Sequence, residues 1–158
     1  MTLWLGDNLR NQASSLYQQG KYAEALGKID EALNIYEVSF GPHYDQYPTA
    51  LTVKGLSLAK TGRLREGEQI LREAVMIRSR SLPPDHFWVS LANSALGECL
   101  MMQGLNKQAE PLLTESYENL RRSQGEQNPR TLLVKRRLDA INEMRHKTDI
   151  VAQNIHNH

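Results

Sequence analysis

Apolar residues recur along the chain at helical spacing, not at the alternation of a strand. Leu9, Ala13, Leu16 and Tyr17 fall three and four apart and stop at Gly20. Beyond it, Tyr22, Ala25, Leu26, Ile29, Ala32, Leu33 and Tyr36 follow the i, i+3, i+4, i+7 rule of a helix with one buried face. A Gly between two such stripes suits the left-handed residue that ends a helix. The arrangement returns twice. QGKYAEAL (19–26), TGRLREGE (61–68) and QGLNKQAE (103–110) align without a gap, and Gly20, Gly62 and Gly104 are spaced by 42 residues. Ala25, Gly67 and Ala109 superpose in that register, as do Ile29, Leu71 and Leu113, then Ala32, Ala74 and Ser116, and further on Gly41, Pro83 and Gly125. Leu3-Trp4-Leu5 lies 84 residues, two periods, ahead of Phe87-Trp88-Val89.

Each period therefore predicts two antiparallel helices, with the breakers FGPHYDQYP, LPPDHFW and QGEQNPRT at the junctions between periods. Such a pair cannot bury its apolar face alone, so stacked neighbours supply the core. The predicted architecture is all-α, a right-handed α-solenoid of about three and a half helix pairs. Repeats span about 6–47, 48–89 and 90–131, followed by a partial repeat or capping helix at about 132–147. In that partial unit Leu138 keeps the register, but His146 stands where Gly is expected. Thr148-Asp149 then caps a short, polar second helix, and residues 148–158 form a fraying tail.

These positions resemble the tetratricopeptide repeat. Position 8 of that pattern is small (Ala13, Gly55, Gly97), and so are position 20 (Ala25, Gly67, Ala109) and position 27 (Ala32, Ala74, Ser116). Small residues let paired helices approach, while bulky ones at position 17 (Tyr22, Leu64, with Asn106 departing) fill the gaps left. The 42-residue period exceeds the common 34 and is similar to that of kinesin light chains and bacterial arrays of the same type. Position 7, usually a core Leu, is Gln12 and Lys54 before it becomes Leu96; position 4 is Leu9, Leu51, then Asn93.

Composition changes this picture little. The 158 residues are 40% apolar and 23% charged with a net charge of +1, which excludes a strong global field for nucleic acid or membrane. Residues 1–48 carry −3, 49–90 carry +3, 91–132 carry −1 and 133–158 carry +2. The basic clusters KTGRLR (60–65), RSR (78–80), Arg121-Arg122 and Lys135-Arg136-Arg137 are accordingly expected on solvated helix faces. No apolar run approaches the roughly 18 residues that span a bilayer, and MTLWLGDNLR does not read as a secretory signal. The single Cys99 excludes an internal disulfide framework and suits a reducing, cytoplasmic setting. Because Leu3, Trp4 and Leu5 form no polar end cap, the array is expected to be one piece of a larger chain.

Little of the sequence suggests catalysis. Cys99 sits among Leu96, Gly97 and Leu100 and reads as a small buried thiol, not a nucleophile. His43, His86, His146, His156 and His158 show no i, i+4 pair, and no HExxH, CxxC, GxxxxGK[ST] or GxGxxG occurs. No cofactor and no metal are expected, and the chain reads as a non-enzyme. In SLPPDHFWVS (81–90), Pro83-Pro84 should stop one helix, Asp85 or His86 should cap the next, and Phe87-Trp88 should wedge between stacked pairs.

The resemblance implies that first helices line a concave groove holding a partner. By register its wall is Arg10, Asn11, Ser14 and Tyr17 in unit one, and Thr52, Val53, Leu56 and Lys60 in unit two. Unit three adds Ser94, Glu98, Met101 and Met102, and the fourth first helix adds Arg137. The mixture of Tyr, Leu and Met with a few charges suits a peptide read by apolar contacts and end charges. It lacks the Asn, Lys and Arg clamp of arrays that bind an acidic chaperone terminus. The leading expectation is a protein–protein interaction scaffold binding a peptide or partner domain, with no nucleic acid or membrane partner. Two others stay open: a ligand or peptide sensor attached to a kinase or protease effector, and a homo-oligomer formed through exposed end repeats.

Overall fold

The computed structural model describes residues 2–158, and its seven α-helices make the chain an all-α repeat array. It divides into two compact units, with the boundary between Pro84 and Asp85. The first unit holds α1 (Thr2–Gln18), α2 (Tyr22–Ser39), a 3-10 turn at Gly41–His43, α3 (Tyr47–Lys60) and α4 (Leu64–Ser81). The second holds α5 (Phe87–Met102), α6 (Asn106–Gln124) and α7 (Pro129–His156). Within them α1 packs on α2, α3 on α4, and α5 on α6, with α7 against both α5 and α6.

The three first helices end by one device. Gly20, Gly62 and Gly104 have φ of 77°, 90° and 79°, where a side chain would be strained. The next residue in each case, Lys21, Arg63 or Leu105, donates its N–H back to the carbonyl of Leu16, Leu58 or Leu100 at 2.9 Å. The device fails at His146, which has no counterpart of that freedom. No non-Gly residue among those described takes a positive φ, and α7 runs on as one helix of 28 residues. Helix α7 thus runs through Thr148-Asp149, where a helix break was expected, to His156.

The small residues act as the register requires. A Cβ on Gly55 would lie 2.6 Å from Cγ of Leu71, and one on Gly97 would lie 2.9 Å from Cγ of Leu113, the same pair one period later. Gly67 is as close to backbone, since its Cβ would meet the Gly55 carbonyl oxygen at 2.6 Å. Around these approaches the cores close on fully buried Ile29, Leu71 and Leu113. Lys54, at a position usually held by a core Leu, is accommodated by an ion pair with Asp30 at 2.9 Å.

The linker at 81–90 terminates and restarts helices as its composition predicts. Helix α4 stops at Ser81, and His86 caps α5 by accepting the Trp88 N–H on Nδ1 at 3.1 Å. One period later Asn128 caps α7 in the same way, its Oδ1 accepting the Arg130 N–H at 2.9 Å. Phe87 and Trp88 are half-buried, and the Arg130 guanidinium lies 4.8 Å from the Phe87 ring centroid and 5.6 Å from that of Trp88.

Candidate functional site

In the first unit the expected wall lies on two adjoining helices, α1 and α3. Asn11 is exposed, while Arg10, Ser14, Tyr17, Thr52, Val53 and Lys60 are half-buried. Leu56 points into the core and is 7% exposed. Local contacts hold several of these side chains in place. Arg10 donates to Asn11 Oδ1 at 3.2 Å and also to Gln46, the Tyr17 ring lies 5.3 Å from that of Tyr22, and Val53 packs against the core. The Thr52 hydroxyl donates to the Pro48 carbonyl at 2.9 Å. The result is a half-exposed surface with an aromatic ring, a methyl-rich patch and separated cations.

The second unit treats its part differently. Met101 and Met102 are half-buried, but Ser94 is wholly inside and Arg137 is 9% exposed. Arg137 Nε donates to Glu98 Oε2 at 2.8 Å, and its Nη1 donates to the Ser94 hydroxyl at 2.8 Å. Three expected wall residues are thus brought together, yet they satisfy one another across α5 and α7. A buried guanidinium needs such partners, because removing it from water is costly.

The basic clusters are not all solvated faces. Arg137 is one exception, and Arg78, 4% exposed, is the other. One period apart, Tyr36, Arg78 and Leu120 occupy the same buried position of α2, α4 and α6. In the first pair Tyr36 donates its hydroxyl to Asp7 Oδ1 at 2.6 Å, and Tyr44 donates to the same oxygen at 3.0 Å. Burial and then the bond to Asp7 push both phenols above their ordinary range. Tyr47, buried and donating to Glu37 at 3.1 Å, is raised from 10.0 to about 12 for the same kind of reason, burial first and the carboxylate second. In the second pair Arg78 donates to Thr49 at 2.8 Å and reaches Asp45 at 3.3 Å. Sequence reasoning missed the burial of both arginines, because each lies in a basic run whose other cations, Arg80 or Lys135 and Arg136, are exposed.

The remaining candidates occupy structural places. Cys99 is fully buried, with Gln103 Nε2 at 3.8 Å from its sulfur. Among the described residues, no three His, Cys, Asp or Glu side chains gather as a metal site, and no helix is long and apolar enough to cross a membrane.

Known proteins resemble the chain in the same terms. Residues 5–80 match the family model described as tetratricopeptide repeat. A Podosopora anserina protein described as a putative kinesin light chain with nearly identical TPR-like repeats is similar in structure, with a TM-score of 0.78 at 14% identity over 97% of this chain and 72% of that one. A singly substituted form of that protein gives 0.75 at 16% identity, over 89% of this chain and 66% of that one. BtubC (BKLC) from P. vanneervenii gives 0.72 at 18% identity, over 94% of this chain and 58% of that one. The chain thus spans roughly three fifths to three quarters of the length of these structures. No curated protein matches it by sequence. The match to the tetratricopeptide repeat is thus shown for residues 5–80, and the fold of the chain is that of kinesin-light-chain-like repeat proteins.

Proposed function

We propose that this tetratricopeptide-repeat array is a non-enzymatic scaffold that holds a peptide or a partner domain against its first helices. Repeats of this fold generally mediate protein–protein interaction. The observation that supports a specific surface is the α1–α3 wall of the first unit. Tyr17, Thr52, Val53 and Lys60 are half-exposed there, on helices anchored by the core beneath them. Partly exposed aromatic and aliphatic side chains on a rigid frame lose little freedom on binding, and Tyr is enriched among residues that dominate interfaces. Lys60 and Arg10 supply charges at a distance from that ring, suited to acidic groups on the partner. In the second unit Met101 and Met102 supply a further adaptable patch on α5.

The role falls to the first unit more than to the second, because Ser94, Glu98 and Arg137 are engaged with one another. The test is capture of partners by the full chain, followed by titration with Tyr17→Ala and, separately, Met101→Ala. Tyr17→Ala should weaken the captured partner by about tenfold or more, with far-UV circular dichroism unchanged, and Met101→Ala should weaken it less. Undiminished binding by both variants would remove the first-helix wall as the binding surface.

A further inference from the structure

A pocket of about 390 Å³ opens in the first unit between the 3-10 turn at Gly41–His43 and the last turn of α4. That size lies within the range of small-molecule sites. It is separate from the first-helix wall, since it is lined from the turn, the start of α3 and the end of α4.

Its charged lining is Arg78, Arg80 and Asp45, with His43 at the same mouth. The Arg78 side chain is 5% exposed, whereas Asp45, its carboxylate partner at 3.3 Å, is 73% exposed. Burial lowers the pKa of Arg78, and the carboxylate of Asp45 offsets only part of that effect. Two guanidinium groups against one carboxylate leave the pocket with a formal positive charge that one monoanion neutralises. A dianion such as phosphate would overshoot, leaving excess negative charge beside Asp45. Pro48, Ile77 and Leu82 add apolar wall. The neighbouring repeats supply an internal control. At the position of Arg78 the first pair has Tyr36, whose ring lies 4.8 Å from that of Tyr44, and the third pair has Leu120. Only the second pair places a buried cation at this register position, and it does so beside a cavity.

We propose that this pocket binds a small free monocarboxylate with an apolar body, its carboxylate facing the Arg78 and Arg80 guanidinium groups and its hydrocarbon against Pro48, Ile77 and Leu82. The planar fork of arginine matches a carboxylate, and charge-assisted hydrogen bonds distinguish it from a neutral isostere.

The test is titration of the isotope-labelled full chain with hexanoate, hexanamide, inorganic phosphate and the α-amide of N-acetylglutamic acid, followed by amide chemical shifts at residues 43–48 and 77–82. Hexanoate should bind saturably, with hexanamide and phosphate weaker by about tenfold or more. Equal binding of the amide, or tighter binding of phosphate, overturns the assignment. Tighter binding of the glutamate derivative than of hexanoate overturns the free acid in favour of a peptide side chain. Arg78→Leu, which installs the residue found at Leu120, should abolish the hexanoate shifts. Should that variant not fold, two lining variants decide the matter: Arg80→Gln should weaken hexanoate and Asp45→Asn should tighten it. Shifts in the same direction from both, or none from either, overturn the proposal.

Discussion

In the first unit a carboxylate is held by neutral hydroxyls; in the second, a carboxylate is held by a guanidinium. Asp7 accepts from Tyr36 and Tyr44 at 2.6 and 3.0 Å, and Glu98 accepts from Arg137 at 2.8 Å. Both arrangements tie a first helix to elements that follow it. They differ in what must remain charged. The tyrosine cluster requires only Asp7 to be ionised and its phenols to stay protonated. The ion pair requires both partners, because losing either one takes the opposite charge from a nearly buried group. The difference extends to the candidate surface: α7 occupies part of the α5 wall with the chain's own Arg137, while α1 and α3 keep Tyr17, Val53 and Lys60 half-exposed.

The contrast is broken most strongly at Arg137. Arg137→Ala leaves Glu98, whose side chain is 14% exposed, without its guanidinium and should cost about 3–5 kcal/mol. Hydrogen exchange should then accelerate across α5, α6 and α7 and stay unchanged in α1 to α4. Exchange in α5 as slow as in the parent protein would show that the pair does not hold the second unit together.

Alkali should break the first unit selectively. Unfolded tyrosine ionises near 10, while folded Tyr47 keeps its proton to about 12 and Tyr36 and Tyr44 are raised in the same direction. Above the unfolded pKa the unfolded chain loses these protons first, so the stabilisation is complete below it and disappears as pH rises through about 12. For Tyr47 the rise corresponds to roughly 3 kcal/mol. Tyrosinate absorbance followed together with exchange in α1 to α4 measures it. Equal loss in the second unit, which contains none of these three residues, would contradict the assignment.

The smallest effect sharpens the comparison at the level of a single helix end. His146→Gly restores the residue found at Gly20, Gly62 and Gly104 and costs about 0.3–0.5 kcal/mol of helix propensity, since His is itself a poorer helix former than Ala. Backbone carbon shifts should lose helical character beyond residue 146 while α5 and α6 are unaffected. Unchanged shifts to residue 156 would mean that glycine alone is not the terminator.

Much of the fold was legible because its causes are local and repeat every 42 residues. Gly20, Gly62 and Gly104 announce their helix ends, and Gly55 and Gly97 announce close approaches to Leu71 and Leu113. The end of α7 was less legible: the missing Gly was visible at His146, but the continuation of the helix through Thr148 and Asp149 was not. The candidate site was legible only as a set of positions. Register assigns Ser94, Glu98 and Arg137 to one wall, yet no spacing rule says that residues 43 apart in sequence, Ser94 and Arg137, meet inside it.

The amino-acid order by itself therefore determined the all-α repeat architecture, its period and the residues that terminate and closely pack its helices, since these depend on backbone freedom and side-chain size at fixed intervals. Tertiary structure alone decided which cations are buried. Arg78 and Arg137 look in sequence like their solvated neighbours Arg80 and Arg136, and only the packing of one helix against the next takes them out of water and gives them Thr49, Asp45, Ser94 and Glu98 as partners.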